Sequence, residues 1–189
     1  MLKIVTAFIS AIFLSACGGG GGDPEKPEPN TDIIGGGSAF TVYLTGYSYW
    51  DNTPPGTAAI ARPVIHDEAG GIGTYDDPIT IAVGHSRETF SHKMDYPTGT
   101  RFYFPKIRKY AIVEDLCGDG PRPQDGACHI GKSGKPWLDI YVDGSLAGEE
   151  ESNRCMYRIT GMQRVIMDPD PDRAVRPGPL AESGCHIFI

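Results

Sequence analysis

The sequence predicts an all-β domain with little helix, on three observations. GTRFYFPKIRKYAIVEDLCG (99–118) reads as a β-hairpin, because aromatic and β-branched residues flank a short Pro-Lys-Ile-Arg-Lys connection. WLDIYVDG (137–144) reads as a strand in which Asp139 points to the face opposite Leu138 and Ile140. The 189 residues include 25 Gly and 16 Pro, and no stretch combines a 3.6-residue apolar period with capping signals.

The chain opens with MLKIVTAFISAIFLSAC, a single Lys followed by an apolar run and Leu14-Ser15-Ala16 directly before Cys17. That is the order of a secretory signal ending in a lipidation site, and the run is short for a transmembrane span. Residues 1–16 are expected to be removed, leaving Cys17 as the lipidated first residue and the membrane as a partner through that anchor. By resemblance to lipoprotein sorting signals, Gly18 after the Cys points to the outer membrane or cell surface of the cell envelope. Residues 17–37, rich in Gly, Pro and acidic side chains, read as a flexible tether. Residues 38–189 are enough for one domain, expected to be monomeric. The net charge of −7 becomes −8 when Lys3 leaves with the signal, so nothing basic remains to attract nucleic acid.

Within the domain, Phe40–Tyr49 is the first expected strand, with Phe40, Val42 and Leu44 on one face. The segment DNTPPG (51–56) is a turn, and Asp51 either builds it or serves as a catalytic carboxylate. A short strand is expected near 58–65, followed by a glycine loop (66–77) and a strand carrying Ile79 and Ile81. The loop lacks the Lys and following helix of a phosphate-binding loop. After the hairpin and the Asp139 strand, SLAGEEESNR (145–154) reads as an acidic solvated loop and Met156–Met167 as a strand kinked at Gly161. DPDPDRAVRPGPLAESG (168–184) is a Pro-rich surface excursion pinned by Cys185; it lacks the Gly and distal Glu of a calcium loop.

Cys117, Cys128, Cys155 and Cys185 are an even set in an exported domain, which predicts two disulfides with three connectivities open. No C-x-x-C or H-x-x-x-H spacing supports a zinc site. His66, His85 and His92 fall in or near loops and read as solvated, and no cofactor is indicated. The aromatic residues exceed what one small core needs, so some are expected to line a groove. Trp50, Tyr49, Trp137 and Tyr75 are the candidates for contact with a ligand.

The order of a G-T-R strand, a return strand ending V-x-D and an apolar-Asp-apolar strand resembles the double-psi β-barrel superfamily. Members include rare lipoprotein A, the 3D domain of membrane-bound lytic transglycosylases, expansins and the small barrel endoglucanases. The resemblance implies a six-stranded double-psi β-barrel with long loops. It also implies that Asp139, in Trp137-Leu138-Asp139-Ile140, matches the proposed general acid; the His or Arg found there in H-F-D-L or R-I-D-L is Trp137 here. Tyr49-Trp50-Asp51 resembles the Y-W-D with which the barrel endoglucanases present their base. D-N-T-P-P-G, A-G-G-x-G-T-Y-x-D-P-I-T and V-E-D-x-C together are similar to a group of secreted barrel proteins of fungi and bacteria.

The expected function is therefore a cell-envelope lipoprotein that binds, and in one reading cleaves, a polysaccharide such as peptidoglycan or a plant-type β-glucan. Asp139 would be the acid, with Asp51 or Asp115 as base or charge stabiliser; Asp115 has the alternative role of holding barrel loops. A non-catalytic, expansin-like binding module is the other class, because one fold hosts cleavage and binding alike.

Overall fold

The computed structural model of the protein describes residues 32–33, 36–88 and 93–188. The expected signal segment, Cys17, most of the tether and His92 lie outside the described residues. Six strands carry the fold: β1 (Ser38–Tyr47), β2 (Ile79–Val83), β3 (Arg101–Phe104), β4 (Lys109–Leu116), β5 (Trp137–Tyr141) and β6 (Gly161–Met167). They pair in the order β1-β5-β2-β4-β3-β6, and β6 pairs back onto β1, so the sheet closes into a barrel. Upstream, Asp32–Ile33 doubles back antiparallel onto Ser38 and Ala39. The described helix is limited to α1 (Ala127–Ile130), α2 (Glu149–Ile159) and a 3-10 turn at Pro123–Asp125. The protein is thus an all-β, six-stranded barrel with long loops.

Two pairs, β1 with β5 and β2 with β4, are parallel, and the other four are antiparallel. Exchanging β1, β2 and β3 for β4, β5 and β6 maps every pairing onto one of the same sense, so the barrel has an internal two-fold relation. The β1–β2 and β4–β5 connections each step over the strand lying between their ends, β5 and β2 respectively. This crossed connectivity is that of a double-psi barrel.

Alternation fills the interior. Val42, Leu44, Ile81, Val83, Phe102, Phe104, Val113, Leu138 and Ile140 form one buried cluster. Fully burying such a side chain stabilises the fold by about 1.5–3 kcal/mol. A second cluster, Ala39, Tyr103, Tyr110 and Ile166, lies on the outward positions of the same strands, with Tyr75 and Val175 packed against it. The 168–184 excursion packs against it through Val175, and Cys185 pins its end. Tyr103 Oη donates to Ala174 O at 2.6 Å, and the buried Lys109 ammonium donates to the carbonyls of Ile72, Arg176 and Gly178. Gly73 adopts φ +80°, and a Cβ there would stand 2.3 Å from Lys109 Cδ, so glycine is required where the lysine passes.

Two expected elements differ. Residues 58–65 form no strand: the closed barrel offers no free edge, and the backbone N–H groups of Ala61, Val64 and Ile65 go to side-chain carboxylates instead. Residues 145–167 are not a loop and a long strand. Glu149–Ile159 is helix α2, and β6 begins only at Gly161. Glu149, Glu150 and Glu151 occupy the first turn, where the helix dipole favours negative charge. The buried face is Ser152, Cys155 and Ile159, one apolar residue with a serine and a cysteine, a stripe too polar to read as helical from sequence. The cysteines pair as Cys117–Cys128 and Cys155–Cys185, the latter tying α2 to the end of the excursion.

Candidate functional site

The register places four residues in a row on the outside of the barrel. Asp115 on β4 faces Ala82 on β2, Ala82 faces Asp139 on β5, and Asp139 faces Thr45 on β1. Strands are about 4.8 Å apart, so the backbones of Asp115 and Asp139 are roughly 10 Å apart, with only the Ala82 methyl between them. Strict alternation along V-E-D would turn one of the two carboxylates inward. A bulge prevents this: Ile81 faces Val113 and Ala82 faces Asp115, leaving Glu114 as the extra residue. Above the row the two crossing connections rise as walls, Asp51–Ala61 on one side and Leu116–Gly120 on the other, enclosing a cleft of about 400 Å³. Thr53 Oγ1 donates to Asp119 Oδ2 at 3.1 Å and links the walls.

Asp139 lines the cleft. Its Oδ1 accepts a 2.6 Å hydrogen bond from Thr45 Oγ1, and Thr45 Oγ1 in turn accepts one from Trp137 Nε1 at 2.7 Å. Its Oδ2 lies 3.8 Å from Cys117 Sγ, a disulfide sulfur with no proton to donate. Burial pushes the carboxyl up to about 6; the Thr45 bond opposes this, and the charges of Asp51 and Asp115 add to it.

Asp115 is 7% exposed, and both of its oxygens are occupied. Oδ1 accepts the N–H groups of Ala61 (3.0 Å) and Leu116 (2.8 Å), and Oδ2 accepts the Tyr47 hydroxyl (2.9 Å). Burial raises its pKa against these three donors. Tyr47 is pushed well up by burial and by Asp115, so it stays a donor. Asp115 thereby fastens one cleft wall to the barrel. Asp51 Oδ1 accepts from the N–H and Oγ of Ser48, both at 2.7 Å, which builds the turn. The residue is exposed at the lip, and its Oδ2 takes no bond among the described residues.

Glu114 is wholly buried and anchors the same connection. Its Oε1 accepts the N–H groups of Val64, Ile65 and His66, and its Oε2 accepts Thr80 Oγ1 at 3.1 Å and meets His66 Nδ1 at 2.7 Å. The other ring nitrogen of His66 reaches Asp77 Oδ1 at 2.9 Å. Burial alone would lower the His66 pKa, but the bonds to Asp77 and Glu114 outweigh it and raise it. Burial would raise the Glu114 pKa, but His66 and the backbone donors bring it below the ordinary value. His66 is thus a clamp rather than a solvated loop residue. His85 is also buried, at the edge of the cleft.

The aromatic candidates sit elsewhere. Trp50, 38% exposed, donates its Nε1–H to Gly144 O at 2.9 Å with Tyr49 edge-on beside it, next to Asp51 but not on the cleft wall. Trp137 packs edge-on to Tyr43. Tyr75 lies in the second cluster against Tyr110 and under Arg101, away from Asp139. Sequence reasoning passed over Thr45 and Tyr47, which only the pairing of distant strands brings to the two aspartates.

A protein family described as DDB_G0273701 N-terminal domain matches residues 39–186, which span the barrel from the second residue of β1 onward. The chain belongs to this family. A relative from Dictyostelium discoideum, "Uncharacterized protein DDB_G0273701/DDB_G0273221", is 32% identical over 130 residues, covering 68% of this chain and 51% of the relative. The chain therefore spans about half the length of that curated relative. No solved structure matches the chain. The family match covers both crossing connections and all four residues of the row, so the cleft belongs to the part of the chain that defines membership.

Proposed function

We propose that this protein is a cell-envelope lipoprotein whose cleft binds a polysaccharide, peptidoglycan or β-glucan, and cleaves it with Asp139 as general acid. The observation that carries this reading is the state of Asp139. It is a carboxyl raised to about 6, with one oxygen held by Thr45 and the other free of donors, inside a cleft. Such a group keeps a proton in a useful fraction of molecules at mildly acidic pH and can hand it to a glycosidic oxygen as the bond breaks. The second carboxylate is Asp51, whose Oδ2 is open, rather than the saturated Asp115. A lytic cleavage needs only the acid. The crossed barrel and the W-L-D-I strand support the likeness to the double-psi superfamily, and the signal and Cys17 support the anchor.

The saturation of Asp115 favours a second reading, expansin-like binding without cleavage, since it leaves Asp139 with no buried catalytic partner. Pull-down and product analysis on peptidoglycan, cellulose, xylan and chitin separate the two. Asp139→Asn should abolish product release while binding persists; cleavage at the parental rate would end the general-acid assignment. Binding by both proteins with no product from either would favour the binding module. Cys17→Ser should move the protein from the membrane to the soluble fraction with its fold intact, and persistence on the membrane would contradict lipidation.

A further inference from the structure

Trp137 does not line the cleft, yet it is joined to Asp139 through one side chain. An indole N–H is only ever a donor, and a threonine hydroxyl has one proton to give and two lone pairs to receive. Trp137 Nε1–H fills one of those lone pairs at 2.7 Å. The Thr45 proton then goes to its near acceptor, Asp139 Oδ1 at 2.6 Å. Were Asp139 to carry its own proton on Oδ1 and donate it to Thr45, two donors would converge on one hydroxyl oxygen. The Thr45 proton would then lose the acceptor it has among the described residues, and a partly buried hydroxyl gives up that bond at a cost. The neutral acid therefore keeps its proton on Oδ2, the oxygen that no protein donor occupies.

We infer that Trp137 is a positioning residue that acts through Thr45 to orient the hydroxyl and hold the transferable proton of Asp139 on Oδ2. This rests on the reading of Asp139 as a general acid and adds how the acid is aimed. It also moves Trp137 from a ring that stacks on a ligand to one that sets a proton's place. Its ring meets Tyr43 in a T-shaped contact at 4.7 Å between centroids, which fixes the direction of its N–H.

The test is a double-mutant cycle read by titrating the Asp139 side-chain carboxyl by NMR in the full chain, without substrate. Thr45→Val removes the bond that favours the ionised form and should raise the Asp139 pKa by roughly one to two pH units. Trp137→Phe should raise it less, because Thr45 still donates to Oδ1 but its hydroxyl is no longer oriented and polarised by the indole N–H, which weakens that bond. The double variant should titrate with Thr45→Val alone, since the relay runs through the Thr45 hydroxyl. Thr45→Ser should keep the parental value, and Thr45→Ala closes the same cycle with less bulk if the valine disturbs packing. The inference is overturned if Trp137→Phe leaves the parental pKa unmoved, or shifts it as much without the Thr45 hydroxyl as with it. These titrations stand apart from cleavage: an Asp139→Asn protein that still cleaved would end the general-acid reading and leave the hydrogen-bond relay as measured.

Discussion

Asp139 carries a cost in stability that can be measured. Its pKa rises from 3.8 in the unfolded chain to about 6 in the fold, so between those values the native state binds the extra proton. Stability is then highest below the unfolded value and falls as pH rises through about 6. Asp139→Asn should therefore raise the melting temperature at pH 7–8, by a stabilisation on the order of 1–3 kcal/mol, and leave it nearly unchanged at pH 3–4. Thermal melts of the two proteins across that range check this. The outward direction of Asp139 was legible from Leu138 and Ile140 alone. Thr45 was not, because it meets Asp139 across a parallel pairing that no local pattern announces. The fate of Glu114 and Asp115 was hidden for a different reason: adjacent residues on one strand reach the same side only through a bulge, and V-E-D has no glycine to mark one.

At the scale of elements, the β1–β2 connection is organised by one carboxylate. Glu114 receives three successive N–H groups of the connection and clamps His66 onto it. Its lowered pKa contributes stability present above about 4.5 and lost as pH falls; the raised pKa of His66 contributes stability present below 6.5 and lost as pH rises through its folded value. The clamp is therefore strongest between about pH 4.5 and 6.5. Glu114→Ala should destabilise the protein by about 3–5 kcal/mol in urea unfolding at pH 6, because it leaves His66 and several buried donors unpaired. Helix α2 rests on a thinner support. Replacing both Cys155 and Cys185 by serine should cost about 2–5 kcal/mol by the same measurement and loosen the helix and the excursion together. The disulfides were expected as a set, and their pairing needed the fold. The helix was missed because Ser152 and Cys155 occupy positions where an apolar stripe would normally announce itself.

For the whole molecule, the barrel joins strands far apart in the chain, β1 with β5 and β6. Non-local pairing on this scale places refolding in the millisecond-to-second range. Stopped-flow fluorescence on Trp50 and Trp137 should find it there, and microsecond refolding would contradict the closed topology. Barrel strands were legible as a set because alternation is local; closure was not, because β6 returning to β1 is a fact about the two ends of the domain.

The doubling back of Asp32–Ile33 onto Ser38 and Ala39 has a mechanical consequence. A pull on the chain upstream of Ser38 enters the barrel along β1, which is held by β6 from Ser38 to Leu44 and by β5 from Tyr43 to Tyr47. Load applied along that axis strains many ladder bonds at once instead of opening them one after another. Thr45 lies about 23 Å further along the same strand, at roughly 3.3 Å per residue. With the cleft gripping a polymer and the upstream chain held fast, tension would run down a strand that, like every strand of the closed barrel, is paired on both sides, and the domain would resist shear where a terminal strand at a sheet edge would peel.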